Sequence, residues 1–376
     1  MKRRKRFLSK LIQKLQIFDK LGLIDKYRRK RLLKHTYSEN EKIESAPPIS
    51  MDWPDEMIKP YVGLVKESNY PYSYWPKFER FLQTNNFRYD YFNPYREDFI
   101  EEAKKYDVII WRSLSDYYDI SEARSKIYFL ERVLEKKVLP NYESLWYYED
   151  KIHQYWLLKN ANFPVIKTYA GFDHEETVKF LNDTSYPIVS KLRTASGSHG
   201  VELIKNKNKA KRIVNKIFNT GRNTNYIGLK QKDYVIFQEI VPNYGFDLRI
   251  IVIGDSYFGY YRYPNKKDFR ASCSGITEKK DIPIELLHLS RKVKNIMPKS
   301  YMLAIDYLQD RRDNKYYIIE ISIFIAIETS EQLMVNDIPG RYLYKNDKFI
   351  FQEGRFWLQE LMLEEFFKEI IKGNSK

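Results

Sequence analysis

The chain has 376 residues, 43% hydrophobic and 31% charged, with one cysteine and a formal net charge of +15. This length and apolar content suit two or three packed lobes and exclude wholesale disorder; the single cysteine excludes a disulfide framework or a Cys-rich zinc site. No run approaches the roughly 18 apolar residues of a membrane span, and Lys10 and Lys14 break the N-terminal apolar segment, so a reducing, cytosolic setting without a secretory signal is expected.

Residues 1–36 carry most of the charge. They hold fourteen Lys or Arg against Asp19 and Asp25, which leaves the rest of the chain close to neutral. Leu8, Leu11, Ile12, Leu15 and Phe18 recur at helical spacing among these lysines. The segment reads as a basic amphipathic tail, suited either to peripheral contact with an anionic membrane or to a solvated helix on the body. With the charge confined to the tail, the body is not a strongly basic nucleic-acid binder.

Residues 37–56, with Pro47, Pro48 and Pro54, read as a linker. An α/β rhythm follows over 57–142. Strands are expected within 59–67, 87–93, 106–112 and 138–142, and helices over 74–86 and 121–137, which implies a parallel sheet of Rossmann-like type. No G-x-G-x-x-G follows the first strand, so a dinucleotide fingerprint is absent. Asn93, Arg112 and Ser113 lie near strand ends, where packing and capping are the ordinary roles and a substrate contact is the alternative.

Over 143–237 a helix containing Asp150 and Lys151 precedes a strand ending near Tyr169, the Lys191 strand, and a helix over 210–221 capped by Gly221. The stretch from Tyr234 to Ser322 reads as β-type with short turns, including one at Gly254-Asp255. Residues 355–372 read as an amphipathic, core-docking helix that closes a unit spanning 238–376.

Several segments carry chemistry. A small-residue loop, Ala195 to Gly200, follows the strand that bears Lys191, and such a loop lets backbone N–H groups approach phosphates, although a plain surface hairpin reads the same way. It lacks the G-K-[ST] of a Walker loop. Asp306 and Glu320 each interrupt an apolar strand, and a hairpin through Gln309–Lys315 would bring them side by side. Carboxylates so placed are costly unless they bind metal or pair with Arg249 or Arg270. The aromatic and cationic run Tyr260 to Tyr263 suits a carboxylate substrate, with Arg262 foremost, or a structural strand. Cys273 reads as a bystander, and His199 as either a phosphate contact or a solvated loop histidine.

In this order the segments resemble the ATP-grasp superfamily, most closely RimK-type and glutathione-synthetase-like carboxylate–amine ligases. FDLRIIVIGD followed by DFRAS is similar to the family's Asp-x-Arg strand and its Phe-Arg-Ser segment. The resemblance covers about residues 141–322 and, more loosely, the α/β domain before them. It implies a two-lobed ATP-grasp domain with ATP and one or two Mg2+ as cofactors. Lys151 and Lys191 would contact the phosphates, and Ser196, Gly197, Ser198, His199 and Gly200 would form the lid. Gln238, Glu239, Ile240 and Val241 would edge adenine. Arg249 and Arg270 would stabilise the acyl-phosphate, Arg262 and Ser272 would meet substrate, and Asp306, Glu320 and Ser322 would hold metal.

The chain departs from the family pattern in having Ser322 for asparagine, Ile323-Phe324-Ile325-Ala326 for the nearby Pro-Gly, and Ala271-Ser272 for Ser-Asn. Glu328, Glu331 and Asn336 are candidate replacements for the asparagine ligand. The implied activity is ATP-dependent amide formation between an amine and a carboxylate, with a cell-envelope glycan or peptide precursor as acceptor. A hydroxyl kinase and a nucleotide-binding protein without turnover are the alternatives.

Overall fold

The computed structural model describes residues 43–67, 73–195, 200–224, 226, 228–265, 276–297 and 300–374. The basic tail 1–36 and Ser196–His199, expected to form a lid, lie outside them, as do Arg270, Ser272 and Cys273.

The first sheet is parallel and four-stranded, in the order β2-β1-β3-β4. Its strands are β1 (Val62–Val65), β2 (Tyr89–Phe92), β3 (Val108–Ile110) and β4 (Lys137–Leu139). Helices α1 (Trp75–Thr84), α2 (Phe99–Lys104) and α3 (Tyr117–Arg132) connect them. All four residues of β1 are buried, as a strand covered on both faces requires. The chain order reverses between β1 and β3, and Glu67 and Arg112, just beyond those strands, form a buried ion pair at 3.2 Å. Arg112 also lies 4.9 Å from the Tyr74 ring centre. Asn93 takes an ordinary turn role, accepting from the Tyr95 N–H at 3.0 Å.

Two short helices follow, α4 (Tyr142–Tyr147) and α5 (Lys151–Asn160). A second four-stranded sheet is antiparallel, in the order β5-β10-β6-β7. It contains β5 (Thr168–Gly171), β6 (Ile188–Lys191), β7 (Glu202–Ile204) and β10 (Val235–Glu239). A small hairpin pairs β8 (Arg222–Asn223) with β9 (Lys230–Gln231).

Helices α6 (His174–Asp183) and α7 (Lys207–Asn219) belong to the same lobe, whose core includes Leu181, Val214, Ile217 and Phe237. Ala210, Val214 and Ile217 recur on one side of α7. Asn206 caps its start by accepting from the Lys209 N–H at 3.0 Å. Gly221, at φ +77°, ends it by donating to the Lys216 carbonyl.

The third sheet is eight-stranded. Its centre runs β15 (Tyr316–Ser322), β14 (Leu303–Gln309), β11 (Asp247–Ile253), β12 (Ser256–Arg262). Beyond β12 come β13 (Thr277–Glu278), β16 (Met334–Val335), β17 (Ile338–Lys345) and β18 (Lys348–Glu353). Helix α8 (Ile284–Ile296) packs on β11. The reading of Tyr234–Ser322 as strands and turns is therefore corrected. Pro283 followed by Leu286, Leu287, Ser290 and Val293 on one buried face was the helical signal. Helix α6 is likewise additional to the elements expected from sequence.

The C-terminal helix α9 (Leu358–Asn374) buries Leu358, Leu361, Phe366 and Phe367 against the body, as expected. Phe367 stacks on Phe87 at 4.2 Å. The described part of the expected linker is pinned rather than free. The carbonyl of Ile43 accepts from Arg80 at 2.6 Å and from the Trp357 indole at 2.7 Å, and the Ile49 N–H donates to buried Glu360 at 2.9 Å. Polar groups this well satisfied in the interior hold the segment between α1 and α9.

Candidate active site

The antiparallel sheets face each other across a cavity of about 260 Å³. They are joined at its back where the Ile318 N–H donates to the Pro164 carbonyl at 2.7 Å and Arg312 pairs with Glu239 at 2.6 Å. Lys151, Lys191, Gln238, Glu239, Ile240, Val241, Arg262, Asp306 and Glu320 all line the cavity. Chain segments more than 150 residues apart thus converge as the sequence implied.

Lys151 is placed by its neighbour. Asp150 accepts from the N–H groups of Ile152 and His153 and so caps α5. The same carboxylate takes Arg193 Nε at 2.7 Å, tying the helix start to the end of the Lys191 strand. Lys151 then reaches the Ala195 carbonyl at 2.7 Å and Glu320 Oε1 at 3.0 Å. Replacing Asp150 by alanine is expected to cost about 1–2 kcal/mol of stability, and urea titration checks it. The loosened Lys151 should also weaken ATP binding, measured by calorimetry.

Lys191 is 8% exposed and makes no ion pair or side-chain hydrogen bond among the described residues. Burial, with Lys151 adding repulsion, lowers its ammonium to about 8. A bound polyphosphate would reverse that shift, because an anion favours the charged amine. Nucleotide binding should therefore take up protons at pH 8 and above. Calorimetry in buffers of different ionisation enthalpy reads the uptake, which Lys191→Met should remove.

Across the cavity, cross-strand register sets the charges. Asp306 lies opposite Glu320 on β15 and opposite Arg249 on β11, and Asp247 lies opposite Arg262. Arg249 grips Asp306 with two bonds, at 2.7 and 2.9 Å, and Arg262 bridges Asp306 at 2.6 Å and Asp247 at 2.5 Å. Burial alone would raise the Asp306 carboxyl, but the two guanidiniums outweigh it and hold it well below the usual carboxylate range. The ion-pair alternative for Asp306 is thus present with Arg249, while its second partner is Arg262. Arg262, expected as a substrate contact or as part of a structural strand, lines the cavity and is buried between two carboxylates, Asp247 opposite it on β11 and Asp306 on β14.

Glu320 and Ser322 lie two residues apart on β15 and so share a face. Ser322 donates to the Phe324 carbonyl at 2.7 Å, which leaves its oxygen lone pairs for a ligand. Glu320, Asp306 and Ser322 present hard oxygens of the kind Mg2+ takes, and Glu320 keeps some exposure. The donor chemistry suits the ion. Two suggested replacements for the asparagine are otherwise engaged. Glu331 pairs with Arg355 at 2.6 Å, and Asn336, at φ +51°, forms the β16–β17 turn with Asp337.

Gln238 donates its side chain to Thr168 at 3.0 Å, and Ile240 and Val241 follow the end of β10 along the cavity wall. Gly200, the last residue of the loop expected to form a lid, sits at φ +70°, and a Cβ there would lie 2.3 Å from Leu192, so only glycine fits.

One residue was missed entirely. Glu149, just before Asp150, is 7% exposed, has φ +54°, and carries a buried oxygen without a hydrogen-bond partner among the described residues. Burial first, then the Glu320 charge, pushes its carboxyl up to about 7 against the pull of Lys151 and Arg249. No motif spacing marks this position; its neighbours converge only in three dimensions.

Residues 148–343 match the family model of the RimK-like ATP-grasp domain. The chain is 25% identical over 270 residues to the α-aminoadipate–LysW ligase LysX of Saccharolobus solfataricus, covering 71% of this chain and 92% of that protein. It also superposes on the D-alanine–D-alanine ligase of Bacillus anthracis complexed with ATP, with a TM-score of 0.54 at 14% identity. That match covers 85% of this chain and all of the ligase, and it shows likeness of fold.

Proposed function

The chain belongs to the RimK-like ATP-grasp family, and we propose that the cavity between its antiparallel sheets activates a carboxylate with ATP and joins it to an amine. It is an ATP-dependent, carbon–nitrogen bond-forming ligase, with ATP and Mg2+ as its cofactors. One observation carries the site assignment: the convergence of Lys151 and the buried Lys191 with the paired carboxylates Asp306 and Glu320 along one cavity.

A carboxylate does not react with an amine in water, because its leaving group would be oxide. In the proposed first step a carboxylate oxygen attacks the γ-phosphorus and ADP departs with the electron pair of the broken P–O bond. In the second, the amine nitrogen attacks the acyl carbon, phosphate leaves, and the nitrogen gives up its proton. Lys151 and Lys191 hold the phosphates, with Gln238, Glu239, Ile240 and Val241 along the adenine. Arg249 stands where charge develops on the transferring group. Arg262 keeps Asp306 ionised and in place. Glu320, Asp306 and Ser322 would hold Mg2+, which supplies charge neutralisation between phosphate oxygens. Ser196–Gly200 would close over the site and exclude water, with Arg270 and Ser272 at the substrate.

For the substrate, the similarity to a ligase that acts on α-aminoadipate supports an amino acid as one partner. A cell-envelope glycan or peptide acceptor at the inner face of the membrane is supported only by the basic residues 1–36. No helix among the described residues is long and apolar enough to cross a membrane. The test incubates the protein with ATP, Mg2+ and pooled amino acids, acidic sugars and short peptides, with mass spectrometry of the products. An amide formed with ADP supports ligation; a phosphorylated product with no amide overturns it in favour of a kinase.

A further inference from the structure

Arg193, just beyond β6, uses both its backbone and its side chain as a clamp. Its carbonyl accepts from the Lys151 N–H at 3.0 Å, and its own N–H donates to the Tyr234 hydroxyl at 3.3 Å. Its Nε donates to Asp150 Oδ2 at 2.7 Å, and its Nη2 lies 2.8 Å from His153 Nε2. Two residues on, the Ala195 carbonyl takes the Lys151 ammonium at 2.7 Å. Segment 193–195 therefore holds both the backbone and the side-chain end of Lys151, and one guanidinium ties that segment to the start of α5.

The His153 contact fixes a protonation state. A guanidinium has only donors, so His153 Nε2 must present its lone pair. The ring proton then sits on Nδ1, which donates to the Trp146 carbonyl at 2.8 Å. Trp146 stacks on the imidazole with ring centres 3.8 Å apart and planes 10° apart, and Trp156 flanks it at 5.6 Å, which holds the ring in this orientation. Three charged groups face the ring. Asp150, at the cap of its own helix, lies 3.3 Å from Nδ1; Arg193 comes from the end of β6; and Arg124 comes from α3, reaching the same Trp146 carbonyl at 3.4 Å. Burial first, with the two arginines added, outweighs the Trp146 carbonyl and Asp150 and holds the imidazole below its ordinary value.

Protonation would undo the clamp in two ways. A proton on Nε2 would face the guanidinium N–H groups, so Arg193 Nη2 would lose its acceptor and two cations would stand in contact. The imidazolium would also pull harder on Asp150 Oδ2, the same oxygen that Arg193 Nε holds. The clamp is thus intact above the folded imidazole value and lost as pH falls through it.

We propose that Arg193, oriented by a neutral His153, is a positioning residue for Lys151, and that protonation of His153 releases it and weakens ATP binding. Neither residue lines the cavity, so both act through Lys151. The inference rests on the reading of Lys151 as a phosphate contact.

The test follows binding of ATP with Mg2+ by calorimetry, from pH 8 to pH 5, in full-length wild type, His153→Gln and Arg193→Met. Glutamine offers a carbonyl oxygen that can accept from Arg193 and does not titrate. Wild type and His153→Gln should agree within about twofold at pH 8, and at pH 5 wild type should bind about tenfold or more weakly than His153→Gln. Protonation of ATP and of all other groups is common to both proteins and cancels in this comparison. Arg193→Met should bind about tenfold more weakly than wild type at pH 8 and show a smaller further loss in acid, since it has no clamp to release. That second comparison stands by itself if His153→Gln does not fold. Equal acid losses in wild type and a folded variant, or Arg193→Met binding ATP as wild type does at pH 8, would overturn the proposal. A wild-type protein that binds no ATP at pH 8 would overturn the phosphate-contact reading itself, and the inference with it.

Discussion

Glu320→Gln is expected to abolish ligation while leaving the fold intact. Glu320 pairs with Lys151, lies opposite Asp306 and keeps 29% side-chain exposure, so it stands where phosphates and metal would meet. Glutamine preserves shape and one acceptor oxygen but removes the charge that a divalent cation requires. The loss in kcat should be about 10²–10³-fold, as for removal of a preorganised electrostatic contact at the reacting centre. Because the side chain is partly solvated, stability should change little, and the thermal midpoint should stay near that of wild type. Steady-state ADP release and a melting curve check the two halves together. Full activity would refute the metal assignment.

Asp306→Asn is expected to produce the opposite pattern, a large loss of stability together with loss of activity. Asp306 accepts three hydrogen bonds from Arg249 and Arg262 and is buried at 7% exposure. Neutralising it leaves Arg262 with Asp247 alone and Arg249 without its carboxylate partner, and breaking a buried pair in this way costs about 3–5 kcal/mol. Replacing Asp306 and Arg249 together by neutral residues should recover part of that loss, because the uncompensated charge goes with them. In wild type the folded Asp306 carboxyl lies below its unfolded value. Its contribution is therefore present above the unfolded carboxyl range and lost as pH falls through the folded value. Urea titrations at pH 7 and in acid measure both effects.

Much of the site was legible because carboxylates and lysines in apolar strands are conspicuous. Asp306 and Glu320 could be placed side by side from the hairpin alone, and the structure pairs them directly. The Arg262–Asp247 contact was legible in principle as well. A two-residue turn at Gly254-Asp255 fixes the β11–β12 register, and counting outward from it puts Arg262 opposite Asp247 and Tyr260 opposite Arg249. Helix α8 was missed because strand-like segments flank it, although its apolar stripe had the helical period. Glu149 had no such signal. Its meaning depends on burial and on charges contributed by β11, β14 and β15, and no local pattern announces those.

The central claim is that amide formation passes through an acyl-phosphate, and isotope transfer tests it most directly. The carboxylate substrate found in the pooled reaction is labelled with oxygen-18 in its carboxyl group, and the inorganic phosphate released during turnover is collected. One labelled oxygen should appear in each phosphate, because the acyl C–O bond breaks when the amine attacks. Amide formed with unlabelled phosphate would contradict the account.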